Sequence, residues 1–232
     1  MKKILFQLFI LLNISLQSQS YQFIPLTVED GLAENQVFDL IQDRRGAIWM
    51  ATPGGVSVYD GVSFRTLDDS LGLPSNIIHC LYEDVKGDIW IGTHKGLSVY
   101  DGVKFETFTQ KDGLPSNIIK SICEDGFGRL WIGTQYGGLC ILDNFSKDEK
   151  IFTPFDINFG QGDKLSINKI IETPDAKIYV GTNHGLAEIF NGKVKTYTIK
   201  DKRKDNFIHD LEEDVNGDIW IGTTSGLSLF SN

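Results

Sequence analysis

The chain has 232 residues, of which 41% are hydrophobic and 23% charged, enough to bury the core of one large domain or two small ones. Its formal net charge of −9 disfavours binding to nucleic acid and to anionic membrane surfaces. The three cysteines Cys80, Cys123 and Cys140 show neither a disulfide framework nor zinc-ligand spacing, and we expect small buried side chains.

The first twenty residues, "MKKILFQLFILLNISLQSQS", predict a secretory signal peptide. Lys2 and Lys3 precede an apolar run at 4–12, and a polar end with Ser18 and Ser20 follows. We expect cleavage after Ser20 and a periplasmic or secreted product. An uncleaved membrane anchor is the alternative, but the run is short for a bilayer. No later segment is apolar enough to cross a membrane, so we expect no span in the mature chain.

The rest of the chain, 21–232, consists of five copies of one unit. The copies align on one aromatic residue each, at spacings of 41, 41, 48 and 41 residues: Trp49, Trp90, Trp131, Tyr179 and Trp220. They cover about 30–70, 71–111, 112–160, 161–205 and 206–232. The chain is therefore expected to fold as five similar structural units.

Each copy predicts four short strands, which in the second copy are "IIHCLYED" (77–84), "DIWIGT" (88–93), "GLSVY" (96–100) and "FETFT" (105–109). Asp84 and Gly87 suit a type I turn between the first two strands, whereas Thr173 and Ala176 in the fourth copy predict a different turn. Four antiparallel strands per unit are typical of β-propeller blades. We predict an all-β protein: a single β-propeller of five four-stranded blades, with the aromatic residue packed between blades.

The last copy ends after its third strand, and the N-terminal segment 21–27 resembles the missing fourth one. When Asp30 is set on Asp112, Phe23 falls on Phe105. Pro25 suits an outermost strand, because proline cannot donate to a ladder on both sides. We therefore expect this N-terminal strand to complete the last blade and close the ring.

The repeat "ED..G.IWIGT..GLS.YDG..F.....DGLPSN" resembles the two-component regulator propeller repeat of periplasmic sensor regions in hybrid histidine kinases. The resemblance covers 21–232 and implies a propeller that recognises a ligand, commonly an oligosaccharide, for signalling. Sensors of that family carry many more repeats and continue into kinase modules, which these residues lack. We therefore expect a stand-alone sensor-like module, a truncated remnant of a larger sensor, or one piece of a split system.

Candidate ligand-binding residues lie in the loops that share one face of such a propeller. These loops vary among copies while the framework stays constant, as recognition requires. The candidates are His94, Lys95, Gln135, Tyr136, Asn183, His184, Asn76 and Asn117. For the asparagines, an Asx turn before the strand is the favoured alternative. The ligand is expected to be a small molecule or glycan; the alternative is a protein–protein scaffold that binds a partner sensor protein.

We find no catalytic constellation, and expect neither enzyme activity nor a metal or cofactor. His79 and His209 occupy equivalent positions early in the first strand, but no carboxylate is fixed beside them by spacing. The "ED" pairs are interpreted as turn initiators. A carbohydrate-active enzyme of propeller form would need convergent carboxylates, which the candidate loops almost lack.

Overall fold

The computed structural model describes residues 23–143, 150–160, 164–198 and 206–231. The predicted signal peptide lies outside this range. The described residues form nineteen strands in five antiparallel sheets, which we call blades 1 to 5 in chain order. None of the helices in these ranges has the length and apolarity needed to cross a bilayer.

Each blade begins with its innermost strand and continues outward in chain order. Blade 1 holds β1 (Asp39–Gln42), β2 (Ile48–Thr52), β3 (Gly55–Tyr59) and β4 (Phe64–Leu67). Blade 2 holds β5 (Ile78–Glu83), β6 (Ile89–Thr93), β7 (Gly96–Tyr100) and β8 (Phe105–Phe108). Blade 3 holds β9 (Ile119–Glu124), β10 (Arg129–Thr134), β11 (Gly138–Asp143) and β12 (Phe152–Phe155). Blade 4 holds β13 (Ile167–Glu172), β14 (Ile178–Thr182), β15 (Leu186–Phe190) and β16 (Lys193–Tyr197). The described part of blade 5 holds β17 (Ile208–Glu213), β18 (Ile219–Thr223) and β19 (Gly226–Phe230).

The turn between the first two strands of each blade has the predicted form. In blade 2 the Gly87 amide donates to the Asp84 carbonyl at 2.9 Å, and Gly87 has a φ of 88° that favours glycine. The expectation of a different turn in blade 4 is wrong. The Ala176 amide donates to the Thr173 carbonyl at 2.9 Å, and Ala176 itself takes the left-handed conformation with a φ of 61°. Backbone hydrogen bonding therefore fixes this turn even without glycine.

The aspartate of that turn also holds the tryptophan six residues later. The Trp90 indole Nε1 donates to the Asp84 carboxylate at 2.9 Å, and Trp131 donates to Asp125 at 2.8 Å. In blade 4 Tyr179 replaces the tryptophan and Thr173 replaces the aspartate, so both partners change together. The "ED" aspartates are thus more than turn initiators.

The last glutamate of the inner strand joins blades 2, 3 and 4 to the blade before each of them, and in blade 2 Glu83 accepts from the Arg44 amide at 3.0 Å. The Glu124 carboxylate accepts from the Val85 amide at 2.9 Å, and the Glu172 carboxylate accepts from the Gly126 amide at 2.9 Å. Each bond ties an inner strand to the turn of the preceding blade. These charge-assisted bonds therefore set the relative position of neighbouring blades.

Four apolar clusters fill the joints between consecutive blades, as the sequence predicts. Between blades 2 and 3, Trp90 and Leu97 pack against Ile119 and Ile132. Comparable clusters join blades 1 and 2, 3 and 4, and 4 and 5. Burying these side chains contributes roughly 1.5–3 kcal/mol each, so the joints carry most of the stability of the fold.

The all-β fold, the five blades and their propeller arrangement are confirmed, but the predicted ring closure is not formed in the described residues. Residues 23–27 belong to no sheet, and the Phe23 side chain is 94% exposed. Among the described strands β19 pairs only with β18, and the contact between β1 and β17 is less extensive than that between the other neighbouring inner strands. The N-terminal strand finds no partner because blades 5 and 1 are not joined. We call this open boundary the seam.

Candidate functional site

A central channel of about 1220 Å³ runs between the five inner strands and is lined by residues from each blade. Two consecutive positions of every inner strand face it. The first position forms a rim ring: Phe38, His79, Lys120, Asn168 and His209. The second position forms an inner ring: Asp39, Cys80, Ser121, Lys169 and Asp210. The channel is therefore built from one repeated pair of positions filled with different side chains.

A β-bulge occupies the rim position in four of the blades, and in blade 3 the residue left out of the ladder is Lys120. In blade 2, Ile78 pairs with Thr93 and Cys80 pairs with Gly92, so His79 is left out of the ladder. Asn168 and His209 are skipped in the same way. A bulge re-aims the side chain of the extra residue. This local geometry places the rim side chains at the channel opening instead of in the sheet.

The turns between the second and third strands border the same opening. In blade 2 the Thr93 hydroxyl donates to the Gly96 carbonyl at 2.8 Å and accepts from the Lys95 amide, which fixes the turn. The His94 amide donates to the Ile77 carbonyl at 3.0 Å, just before the inner strand. These bonds bring the turn beside the rim, as expected from the sequence.

Tyr136 is the most distinctive side chain at this opening. Its turn in blade 3 is one residue longer than the corresponding turns, and Tyr136 adopts a φ of 61°. Its amide donates to the Ser166 hydroxyl at 3.1 Å, while its side chain remains 58% exposed. A left-handed non-glycine residue costs roughly 1–2 kcal/mol. The aromatic ring is thus held at the edge of the channel at an energetic cost.

The rim carries ionisable groups on adjacent blades. His79 Nε2 lies 3.4 Å from His94 Nδ1, with Lys120 on the next blade. Burial lowers the pKa of His79 to about 4, and the nearby charges of Lys120 and His94 contribute. His79 is therefore neutral at ordinary pH and offers one nitrogen donor and one nitrogen acceptor.

The inner ring combines charged and neutral groups that bond to one another and to the backbone. Asp39 accepts from the Leu81 amide at 2.8 Å, and burial raises the pKa of Asp39. Lys169 Nζ lies 3.0 Å from Asp210 Oδ1. Burial alone would lower the pKa of Lys169, but the bond to Asp210 and the charges of Asp39 and Glu212 outweigh it and raise that pKa. These groups bind the inner strands to one another.

Three of the predicted site residues line the channel: Gln135, Tyr136 and Asn183. Asn183 also accepts from the Ser166 amide at 2.9 Å, which holds the start of blade 4. His94 lies at the rim beside His79, and Lys95 is an exposed neighbour on the same turn. His184 lies away from the lining, beside the Phe159 ring at 6.2 Å between centroids.

The asparagines expected near the site serve the loops that lead into the inner strands. Asn76 Oδ1 accepts from the Asp69 amide at 2.8 Å, and Asn117 Oδ1 accepts from the Gln110 amide at 2.8 Å. Each partner is the first residue of a short 3₁₀ helix (Asp69–Leu71 and Gln110–Asp112). These hydrogen bonds span seven residues, whereas an Asx turn spans two, so the asparagines stabilise the loops by a different hydrogen bond from the predicted one.

Several lining residues were not among the predicted set: Phe38, Asp39, Lys120, Ser166, Asn168, Lys169, Phe207 and Asp210. A signal for most of them exists in the repeat. The positions flanking each rim and inner-ring pair are aliphatic in all copies, whereas the pair itself changes in every copy. Variation between two constant apolar positions therefore indicates the channel lining.

The described residues contain no cluster of three or more potential metal-ligating side chains. Cys80, Cys123 and Cys140 are buried and unpaired, as predicted. Burial raises the pKa of the Cys123 and Cys140 thiols to about 12, so both stay protonated.

The family described as the two-component regulator propeller matches four segments of the chain: 31–54, 72–95, 113–136 and 202–225. The matched segments belong to blades 1, 2, 3 and 5 and are similar to two-component regulator propeller repeats. In blades 1 to 3 the matched segments run from the loop before the inner strand to the turn beside the rim. The resemblance drawn from the sequence is thereby confirmed.

Two solved relatives come from B. thetaiotaomicron. The extracellular domain of the hybrid two component system BT3049 is 28% identical, with a TM-score of 0.75, over 90% of this chain and 30% of that chain. The corresponding domain of BT4673 is 24% identical, with a TM-score of 0.71, over 85% of this chain and 27% of that chain. The chain thus spans less than a third of these relatives, and it resembles the sensor regions of hybrid two-component systems.

Two further matches show how far the similarity to known proteins extends. Histidine kinase P4 of Formosa agariphila is 38% identical over 60 residues, which is 25% of this chain and 4% of that protein. Virginiamycin B lyase from Staphylococcus aureus shares the fold at 13% identity and a TM-score of 0.63, over 84% of this chain and 70% of that chain. The lyase similarity concerns the fold alone.

Proposed function

We propose that this protein is an exported, non-enzymatic recognition module that binds an oligosaccharide at the Tyr136 side of the channel and serves two-component signalling. The observation that carries the proposal is the strained, exposed Tyr136 held beside Gln135 and Asn183. A flat aromatic face next to amides that donate and accept hydrogen bonds suits a ring bearing hydroxyl groups. The neutral His79 imidazole adds a further donor and acceptor at the same opening.

The size and lining of the channel agree with this ligand class. Ligand sites combine apolar and aromatic surface with a few convergent polar groups, and a cavity of about 1220 Å³ accommodates more than one sugar ring. Phe38 on blade 1 and Tyr136 on blade 3 present aromatic surface from two directions. Similarity to extracellular sensor domains supports export, which the N-terminal leader also predicts.

The absence of catalysis is part of the proposal. Three carboxylates line the channel: Asp39 and Asp210 one level below the rim, and Glu172, which accepts from the Gly126 amide of blade 3. Asp39 accepts from the Leu81 and Leu40 amides, and Asp210 accepts from the Leu211 amide and pairs with Lys169. Because each is engaged in holding the inner strands, we assign them a structural role.

Oligosaccharide binding can be tested with an array of neutral and acidic oligosaccharides, followed by calorimetric titration of any that are retained. We expect Tyr136→Ala to weaken binding about tenfold or more, since the variant loses the stacking surface. Phe127→Ala is the matched control, because Phe127 is an exposed aromatic residue at the opposite end of blade 3.

Two outcomes would count against the proposal. If the unaltered protein retains no oligosaccharide, the protein-interaction scaffold becomes the better explanation of the varied rim. If Phe127→Ala weakens binding as much as Tyr136→Ala, the ligand does not occupy the channel opening. Export is checked separately, by sequencing the N-terminus of the periplasmic protein, which we expect to begin at Tyr21.

A further inference from the structure

The opening of the channel at the rim differs in charge from the rest of the protein. Among the described residues, the rim ring and the adjoining turn residues that line this end contribute a lysine, histidines, amides and aromatic rings, but no carboxylate. His94 and Lys95 add a further histidine and a second lysine on the turn that borders the rim in blade 2. The chain as a whole has a formal net charge of −9. The basic character of the opening is therefore local and does not follow from the overall composition.

Lys120 is the lysine that lines the opening. Its side chain is half-buried and forms no hydrogen bond or ion pair with the described residues. Lys169, one level deeper on blade 4, is instead paired with Asp210 at 3.0 Å. An ammonium group has three donors, and partial burial removes some of the water that would otherwise satisfy them. A half-buried cation that faces a cavity without a protein partner therefore favours an anionic group on the ligand.

Lys120 and Tyr136 border the same part of the opening, because both belong to blade 3. In the ladder, Thr134 pairs with Ile119, the residue just before Lys120. Tyr136 follows Thr134 by two positions, and the Gln135 amide between them donates to the backbone before the inner strand at 2.9 Å. The turn is thus fixed beside the bulge that carries Lys120. One ligand can reach the aromatic ring and the ammonium group together.

We propose that the oligosaccharide bound at the opening is acidic, and that Lys120 binds its anionic group, a carboxylate or a sulfate, while Tyr136 stacks on the sugar ring. This inference rests on the proposed function and names the ligand class of the same site. A uronic acid carries its carboxylate on the sugar ring itself, so a single ring can make both contacts. A charge-assisted hydrogen bond of this kind is roughly twice as strong as a neutral one.

The deeper part of the channel confines the anionic group to the opening. Asp39 and Asp210 lie one level below the rim, Glu172 lies at the far end of its inner strand, and all three accept from backbone amides. Their negative charges repel an anion at those levels. The net charge of −9 also opposes the approach of long polyanions. The site therefore suits a short oligosaccharide with an anionic group at the opening.

The acidic class is tested by calorimetric titration of the full chain with matched pairs of oligosaccharides. The acidic members are oligogalacturonate, oligomannuronate and sulfated galactose oligosaccharides, and each is compared with its carboxyl-reduced or desulfated form. We expect at least one acidic member to bind about tenfold or more tightly than its neutral form, since it gains a charge-assisted hydrogen bond. Added salt should weaken this preference. The uronate and sulfate pairs distinguish the two anionic groups.

Substitutions of lysine test the assigned residue. Lys120→Gln should reduce the preference for the acidic form to about twofold or less and leave the affinity for the neutral form unchanged, whereas Lys120→Arg should keep the preference. Lys104→Gln is the matched control, because it changes the net charge equally on an exposed turn at the opposite end of blade 2. It should behave like the unaltered protein.

Three results would overturn the inference. If acidic and neutral forms bind equally, the oligosaccharide site stands but its ligand is not acidic. If Lys120→Gln weakens both forms alike, or if Lys104→Gln lowers the preference as much, Lys120 does not bind the anionic group. If no oligosaccharide of either kind is retained, the proposed function fails and this inference fails with it.

Discussion

The joint between blades 2 and 3 and the seam between blades 5 and 1 contain the same repeat positions. Their side chains are buried at the joint and partly exposed at the seam. At the joint, Trp90 is 1% exposed and packs against the aliphatic residues of blade 3. At the seam, the equivalent Trp220 is 38% exposed, because no blade lies against it in the described structure. The comparison separates what a residue contributes within its own blade from what it contributes between blades.

The largest expected difference concerns the tryptophans. Trp90→Ala should lower the free energy of unfolding by about 3–5 kcal/mol, because it leaves a large cavity in a packed joint. Trp220→Ala should cost less than half as much, since this side chain packs on one side only. Urea denaturation followed by circular dichroism measures both values. Equal losses would contradict an open seam.

Two glycines provide a smaller but cleaner comparison. Gly133→Ala should lower the free energy of unfolding by about 1–3 kcal/mol, because the new Cβ forces Ile167 to move. Gly222→Ala should be neutral or stabilise the protein slightly, since the space is open and alanine restricts the unfolded chain. Thermal unfolding of the two variants decides the matter. A destabilised Gly222→Ala protein would show that a neighbouring blade fills the space beside Gly222.

Asp125 accepts a hydrogen bond from the tryptophan of blade 3, which is packed on both sides. Asp214 accepts the equivalent bond from the tryptophan of blade 5, at the seam. Burial opposes ionisation of Asp125, but hydrogen bonds from Trp131 and Arg129 outweigh it and lower its pKa. Its carboxylate therefore stabilises the fold above about pH 4, and this contribution is lost as the pH falls through the folded-state pKa. Asp125→Asn should cost about 1–2 kcal/mol at pH 7 and flatten the acid side of the stability curve.

The matching Asp214→Asn variant should have a smaller effect, because the tryptophan that Asp214 holds is itself partly exposed at the seam. Denaturation at several pH values between 3 and 7 compares the two variants. A larger loss for Asp214→Asn would contradict the difference between the joint and the seam.

The smallest effect concerns the two rim histidines. The pKa of His79 is about 4 in the folded state and about 6.5 when unfolded, so the unfolded chain binds a proton first as the pH falls. Stability should decrease between pH 6.5 and 4, and His79→Gln should reduce that decrease. His209→Gln, at the equivalent and more exposed position of blade 5, is the control. Identical pH profiles for His79→Gln and the unaltered protein would refute the buried, neutral imidazole.

Much of the fold follows from the sequence because the blade is specified locally. The Asp84 to Gly87 turn, the alternating strands and the repeated aromatic residue each express a short-range rule, and five copies reinforce one another. The pairing of Asp125 with Trp131 was also readable, since aspartate and tryptophan are replaced together in the fourth copy. This joint replacement within one chain indicates that the two side chains are in contact.

The seam and much of the channel were less accessible to sequence reasoning. Alignment of Phe23 with Phe105 predicts a strand over 21–27, but the described residues 23–27 form none, because pairing requires blades 5 and 1 to meet. That depends on the angle between blades, which no local pattern specifies. The local sequence does not indicate Lys120 or Lys169 as lining residues, because a β-bulge at Lys120 and the curvature of the ring bring these inner-strand residues to the channel.

Iodide quenching of tryptophan fluorescence tests the open seam most directly. Trp49, Trp90 and Trp131 are buried, whereas Trp220 is partly exposed. We predict that a distinct fraction of the emission is quenchable and that Trp220→Phe removes nearly all of that fraction. If the unaltered protein resists quenching, blade 5 is covered in solution, and the open seam described here is contradicted.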